Sequence, residues 1–199
     1  MNITRRNLFF ALLVLLLLAG IVLYQYTLPP QIHGSIIEPP KPMPDFTLQA
    51  ARGPVTLSSL RGKVVVLYFG YTACPDVCPT TLANLRQALA DLGSQADQVQ
   101  VVMVSVDWKR DTPESLASYL SAFRPDFLGL TGSQAQIDAV THDFGIFYKL
   151  NEPDAKGYYS VDHTATVQVL DRQGQLLLTW PYGLTAADFL DDLKVILRQ

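Results

Sequence analysis

The stretch VVVLYFGYTACPDVCPTTL, residues 64–82, decides the fold class of this chain. Residues 64–71 form a continuous apolar, β-branched and aromatic run, which is typical of a strand buried on both faces. Cys74 and Cys78 follow this run, and leucines from Leu82 onward recur at helical spacing. The stretch therefore predicts a strand, a cysteine-bearing loop and a helix in direct succession.

The flanking sequence continues this alternation of strands and helices. A strand–turn–strand is predicted for 45–63, a second buried strand for 99–106, and helices capped near Thr112 and Ser133. A β-hairpin is predicted for 163–181, and a last amphipathic helix for 185–199. The order predicts an α/β, thioredoxin-like fold with a mixed central sheet flanked by helices. In such sheets, sites lie beyond the carboxyl ends of the strands, where the cysteines fall.

The composition excludes several classes of protein. The chain has 199 residues, a formal net charge of -3 and two cysteines. No long basic run is present, so we expect no nucleic-acid partner. Two cysteines are too few for a disulfide-rich scaffold, which makes their close spacing the informative feature.

The N-terminal segment is predicted to be a transmembrane signal anchor over residues 8–26. Residues 8–24 carry no charge, and Arg5 and Arg6 precede them. The positive-inside rule then places residues 1–7 in the cytoplasm and the domain across the membrane. The segment lacks the Arg- and Ser-rich amphipathic character of a mitochondrial transit peptide, which favours a bacterial inner membrane with the domain in the periplasm. A cleaved signal peptide, including a twin-arginine signal, is the alternative interpretation.

Residues 27–44 are proline-rich and predict an extended, semi-rigid spacer that leads to a domain at 45–199. His33 lies in this stretch, where we expect a solvated side chain.

The cysteine pair allows three interpretations. A structural disulfide is geometrically possible, although closing so short a loop adds little stability. A redox pair is favoured by the helix N-terminus, which stabilises a thiolate, and by Pro79, which suits a first helical position. A metal site needs further ligands: two thiolates are soft donors that suit Cu(I), and copper can be held by two thiolates and one imidazole.

His163 is the histidine best placed to complete a metal site. His142 falls in a predicted helix and is expected to face water. In a thioredoxin-like domain the loop that enters the hairpin faces the cysteine helix, and here it carries Asp162 and His163. Asp162 is then a candidate partner that orients the imidazole or tunes its charge. Two thiolates and a neutral imidazole give a net charge of -1 with Cu(I) and zero with Cu(II).

Three stretches together resemble the Sco/SenC family of membrane-anchored, copper-binding, thioredoxin-fold proteins. They are GKVVVLYFGYTACPDVCPTTL, VSVDWKRDTPESLASYLSAFRPDFLGLTG and VDHTATVQVLD. The likeness covers about residues 44–198 and the N-terminal anchor. Trp108 is a departure, since the family usually has proline at this position.

The resemblance implies a copper chaperone that assembles the binuclear copper centre of cytochrome c oxidase. Its copper ligands would be Cys74, Cys78 and His163, binding one Cu(I) or Cu(II) ion per domain. The implied partners are the copper-bearing oxidase subunit and other periplasmic copper chaperones or thioredoxin-like reductases. Two alternatives remain. One is a thiol enzyme that uses Cys74 and Cys78, either a thiol–disulfide reductase of oxidase cysteines or a thiol peroxidase, and the other is a structural partner that senses oxidation.

Overall fold

The computed structural model describes residues 3–27 and 32–198. The chain divides into two compact units, one up to residue 31 and one from residue 32. The first contains helix α1 (Ile3–Thr27), which covers the segment predicted as a signal anchor. Among residues 3–27 and 32–198, no helix combines the length and the apolar character that crossing a membrane requires. The predicted transmembrane anchor is therefore not confirmed.

The second unit alternates strands and helices as the sequence predicts. Its elements are β1 (Ser35–Pro42), β2 (Thr47–Ala50), β3 (Gly53–Thr56), β4 (Val64–Gly70), α2 (Val77–Leu92), β5 (Val99–Ser105), α3 (Pro113–Ser121), β6 (Leu128–Leu130), α4 (Gln134–Asp143), β7 (Tyr148–Leu150), β8 (Val161–His163), β9 (Val167–Leu170), β10 (Gln175–Trp180) and α5 (Ala186–Ile196).

A six-stranded mixed sheet forms the centre of this unit, in the order β1-β10-β9-β4-β5-β6. Strands β4, β5 and β6 are parallel, and β9 joins β4 in the antiparallel sense. All seven residues of β4 are buried, because helices or loops cover both faces of a central parallel strand. The predicted α/β class and mixed sheet are confirmed.

The proline-rich stretch is not a free spacer over its second half. Ser35–Pro42 forms the edge strand β1, antiparallel to β10, while residues 28–31 lie outside the described residues. An edge strand tolerates proline because one side of it makes no ladder hydrogen bonds. His33 is likewise not a solvated linker residue: its side chain is 28% exposed and its backbone N–H donates to Asp192 at 2.8 Å.

The helix starts are set by local capping. Thr112 and Ser133 cap α3 and α4, each in a reciprocal capping box with the residue three positions on. The cysteine helix α2 begins at Val77 with Asp76 as its N-cap residue, so Pro79 is the third helical residue and not the first. Cys78 consequently lies inside the first turn of α2.

The predicted hairpin at 163–181 is shorter than expected. Its strands are β9 and β10, whereas β8, which ends at His163, pairs with β7 in a separate two-stranded sheet. Two hydrogen bonds hold the chain there: the Thr164 amide donates to the Phe147 carbonyl at 2.9 Å, and the Phe147 amide donates to the Thr164 hydroxyl at 3.1 Å.

Candidate functional site

The two cysteines lie directly beyond the carboxyl end of β4. Cys74 is half-buried in the loop before α2, and Cys78 is fully buried in the first turn of α2. The two thiols are not bridged, and the backbone N–H of Cys78 donates to the Cys74 sulfur at 3.4 Å. An N–H aimed at a sulfur from a helix N-terminus favours the thiolate form.

The two thiols differ strongly in acidity. The hydrogen bond from the Cys78 thiol, followed by backbone N–H groups and the nearby His163, lowers the pKa of Cys74 to about 5 against the opposing effect of burial. The same hydrogen bond, in which Cys78 is the donor, together with burial raises the pKa of Cys78. Cys74 is therefore a thiolate at neutral pH, while Cys78 holds its proton until a metal or a base removes it.

A buried tyrosine supports the inner cysteine. Tyr68 lies in β4, is 0% exposed, and its hydroxyl donates to the Cys78 sulfur at 3.2 Å. Burial, then the neighbouring Cys78, raises the pKa of this hydroxyl, so it remains a donor at every physiological pH. A hydrogen bond to a ligand sulfur both orients that sulfur and reduces its electron donation.

The structure brings His163 next to the cysteines, as the sequence predicts. Its Nε2 atom is 3.9 Å from the Cys78 sulfur, although the two residues are 85 positions apart in the chain. The imidazole packs edge-on against Tyr71, with ring centroids 5.9 Å apart. Cys74 and His163 also line one cavity of about 520 Å³ at the surface.

The other ring nitrogen of His163 faces a backbone carbonyl. Nδ1 is 3.1 Å from the carbonyl oxygen of Thr164, which can only accept a hydrogen bond. The neutral imidazole therefore carries its proton on Nδ1 and directs the lone pair of Nε2 toward Cys78. The prediction that Asp162 orients the imidazole is wrong, because successive side chains of a strand point to opposite faces and Asp162 is exposed. That Asp162 tunes the charge of the imidazole stays a prediction.

These distances can be compared with those of a metal site. A metal–sulfur bond of about 2.3 Å and a metal–nitrogen bond of about 2.0 Å together exceed the 3.9 Å between Cys78 and His163, so one ion can bond both atoms. Within residues 3–27 and 32–198, no three or more His, Cys, Asp or Glu side chains already stand grouped as metal ligands.

The other two histidines lie elsewhere. His142 is 88% exposed in α4, as predicted. The Nδ1 atom of His33 is 3.3 Å from Asp188 in α5.

The sequence analysis did not identify three residues that contribute to the site. Tyr68 belongs to the run at 64–71, in which the hydroxyls of Tyr68 and Tyr71 are the only polar side-chain groups. Asp107 and Asp111 follow the buried strand β5, and carboxylates directly after a buried parallel strand are a signal that sequence reasoning could have used. Their contacts reach both the cysteine loop and the segment before His163.

Trp108 lies on the turn after β5. It lines a cleft together with Tyr148, the residue paired with His163 across β7 and β8. Its indole N–H is buried and has no hydrogen-bond partner among the residues that the structure describes. Trp108 therefore lies on the outer side of the His163 hairpin and does not line the cavity that holds Cys74 and His163.

Comparison with known proteins gives a consistent family assignment. The family model described as SCO1/SenC matches residues 35–198. A SCO2-like protein of Rickettsia felis is 35% identical over 152 residues, which is 75% of this chain and 74% of the relative.

Solved structures agree with this match. The solution structure of apo Sco1 from Thermus thermophilus is 42% identical, with a TM-score of 0.76, and covers 83% of this chain and 96% of its own. The copper-bound structure of ScoI from Bradyrhizobium japonicum is 38% identical, with a TM-score of 0.71, over 78% of this chain and 99% of its own.

Proposed function

The chain belongs to the SCO1/SenC family, and from this membership we propose that it is a copper carrier. Its cargo is one copper ion, held by the thiolates of Cys74 and Cys78 and by Nε2 of His163. Its recipient is the copper-bearing subunit of a cytochrome c oxidase during assembly.

The observation that carries this proposal is the approach of His163 to Cys78. Nε2 stands 3.9 Å from the inner sulfur, and the Thr164 carbonyl beside Nδ1 leaves its lone pair free. Two soft sulfurs and one imidazole suit Cu(I) better than calcium or magnesium, which prefer oxygen donors. Three ligands also leave one side of the ion open, which transfer by ligand exchange requires.

The two cysteines have different roles in metal binding because their thiols differ in acidity. Cys74 is already a thiolate at neutral pH and is partly exposed, so it is the first sulfur that an incoming ion meets. Cys78 must lose its proton to bind, and a metal ion removes such a proton outright. Binding of each ion therefore releases about one proton near pH 7.

The test is a Cu(I) competition titration of the reduced full-length chain against a chromophoric chelator. His163→Ala is expected to weaken Cu(I) binding by about 10- to 100-fold or more, since it removes a ligand. His142→Ala is the matched control, because its imidazole is 88% exposed on α4. Undiminished Cu(I) affinity in His163→Ala would exclude the three-ligand site.

A second function, thiol–disulfide reductase, is favoured by the acidity of Cys74. Its thiolate would attack one sulfur of a substrate disulfide and displace the other as thiolate. Cys78 would then attack the mixed disulfide, releasing the reduced substrate and leaving a Cys74–Cys78 bond. The buried, weakly acidic Cys78 makes this second step slow. Turnover of a disulfide substrate by copper-free protein, unaffected by His163→Ala, would favour the reductase over the carrier.

We further propose that residues 8–26 anchor the domain to a bacterial inner membrane, with the domain in the periplasm. Support comes from the uncharged run at 8–24 and from α1, in which the large apolar side chains of residues 8–10 and 12–18 are exposed. Carbonate extraction of membranes, followed by the intact mass of the retained protein, tests this. A shortened chain in the soluble fraction would contradict it.

A further inference from the structure

The strand that carries His163 lies outside the main sheet. Strands β7 and β8 form a two-stranded sheet of their own, and two strands alone are at best marginally stable in water. The distance between His163 and Cys78 therefore depends on how this hairpin is fastened to the rest of the domain.

One fastening point is Tyr159, four residues before His163. Its hydroxyl donates to Oδ1 of Asp107 at 2.8 Å, and Asp107 is fully buried in the turn after β5. Arg110, on the same turn, donates from Nε to Asp107 and from Nη1 to the Tyr159 carbonyl at 2.9 Å. The guanidinium carbon also lies 3.7 Å from the centroid of the Tyr159 ring.

The same turn holds the cysteine loop. Asp111 is 4% exposed and accepts hydrogen bonds from the Thr72 amide at 3.0 Å and the Thr72 hydroxyl at 2.6 Å. The Ser105 hydroxyl, at the end of β5, donates to Asp111 at 2.6 Å. Thr72 stands two residues before Cys74, so Asp111 fixes the start of the loop that carries the thiols.

We propose that Arg110 and Tyr159 are positioning residues, which together with Asp107 set the distance between His163 and the cysteines. This inference rests on the proposed copper site. The turn at 105–111 holds the cysteine loop through Asp111 and the histidine hairpin through Asp107 and Arg110. Copper then enters a site whose two halves already have a fixed separation.

The geometry favours positioning over simple stabilisation. The Arg110 guanidinium stacks on the ring of Tyr159 and donates a hydrogen bond to the main-chain carbonyl of the same residue. These two contacts restrain both the position of Tyr159 and the rotation of its ring. A planar guanidinium with two directed N–H groups has one arrangement that satisfies both acceptors. A salt bridge needed only for stability would not require the second bond to Tyr159.

Tyr159→Phe tests the proposal in the full-length chain, because it removes only the hydroxyl that reaches Asp107. Cu(I) affinity is expected to fall by about 10- to 100-fold. Hydrogen exchange at the amides of 161–163 in the copper-free protein should accelerate by about tenfold. Tyr119→Phe is the matched control, since the buried Tyr119 hydroxyl has no hydrogen-bond partner within the described part of the chain.

A double-mutant cycle with His163→Ala separates positioning from general stability. If Tyr159 acts through His163, Tyr159→Phe has no further effect on Cu(I) affinity in the His163→Ala background. Additive losses, or unchanged affinity and exchange in a folded Tyr159→Phe chain, would overturn the proposal. If Tyr159→Phe does not fold, Arg110→Lys replaces it with the same expectations, because lysine keeps the charge but lacks the guanidinium fork.

The copper-free exchange measurement keeps this inference separate from the proposed function. If the unaltered chain and His163→Ala bind Cu(I) equally well, the proposed three-ligand copper site is wrong. Faster exchange at 161–163 in Tyr159→Phe would then still show that the turn positions the hairpin, and unchanged exchange would refute that as well.

Discussion

Gly70, the last residue of β4, has no room for a side chain, and we predict that Gly70→Ala disturbs the copper site. A Cβ atom there would lie 2.8 Å from Cε1 of Tyr68, 2.9 Å from the sulfur of Cys78 and 3.2 Å from Cε of Met103. The first two contacts involve the inner thiol and its hydrogen-bond donor, and all three side chains are fully buried.

The size of the effect follows from these distances. To regain an ordinary contact of 3.4 Å, the Cys78 sulfur must move by about 0.5 Å, which is the tolerance of a working ligand set. Overpacking of a buried site costs about 1–3 kcal/mol of unfolding free energy. For a chain of this length the melting temperature should fall by about 2–12 °C. Cu(I) affinity should fall by about tenfold or more.

Gly129→Ala provides the matched control for this experiment. Gly129 is buried in β6, and its added Cβ would lie 2.7 Å from Leu116 and 3.0 Å from Leu120, among apolar side chains of α3. Both variants should lose stability, measured by thermal unfolding, but only Gly70→Ala should lose Cu(I) affinity in the chelator titration. Equal copper affinities in the two variants would refute the reasoning, as would an unchanged melting temperature in Gly70→Ala.

Four further predictions concern the two cysteines, Asp192 and Tyr68. Alkylation of reduced Cys74 should reach half its maximal rate near pH 5, where its lowered pKa lies, while buried Cys78 reacts slowly; a midpoint near pH 9 would contradict this. Because the pKa of Cys74 is lowered in the folded state, Cys74 adds stability as the pH rises from 5 toward the ordinary thiol pKa of 9.0. Because the pKa of Cys78 is raised in the folded state, Cys78 removes stability as the pH rises above 9.0. Denaturant titrations of reduced copper-free protein should therefore show that the two cysteines together contribute most to the unfolding free energy near pH 9. Asp192→Ala should lower the unfolding free energy by about 3 kcal/mol, because Asp192 accepts hydrogen bonds from the Trp180 indole and two backbone amides, whereas Ala at the 59% exposed Asp191 should change it little. Tyr68→Phe should move the sulfur-to-copper absorption of the Cu(II) form to longer wavelength, because a sulfur without its hydrogen bond donates electrons more readily; an unmoved band would exclude this role for Tyr68.

Much of the fold was predictable because the signals are local. The run at 64–70 contains no residue that a buried strand would exclude, and it forms β4. The capping boxes of Ser133 and Thr112 link residues only three positions apart, so the sequence itself contains both partners. The failures concern elements that lack such signals. Prolines at 39, 40 and 42 predicted a spacer, whereas the edge of the sheet accepts them as β1.

The candidate ligands could be predicted from the sequence, but the groups that hydrogen-bond to them could not. Cys74 and Cys78 were identified because they follow a buried strand at the predicted start of a helix. His163 was identified because, in a thioredoxin-like order of elements, its loop faces that helix. Asp162 was the expected partner of the imidazole, yet the Thr164 carbonyl takes that place. A backbone carbonyl is present at every residue, so no sequence pattern can single one out.

The sequence alone determined most of the strands and helices, and that two cysteines follow one buried strand. It could do so because hydrophobic periodicity, capping and turn chemistry act over a few neighbouring residues. Only the tertiary structure decided that His163 stands 3.9 Å from Cys78 and that the turn at 105–111 fastens both halves of the site. Those contacts join residues from 39 to 85 positions apart, and packing of the sheet, not any local preference of the chain, brings them together.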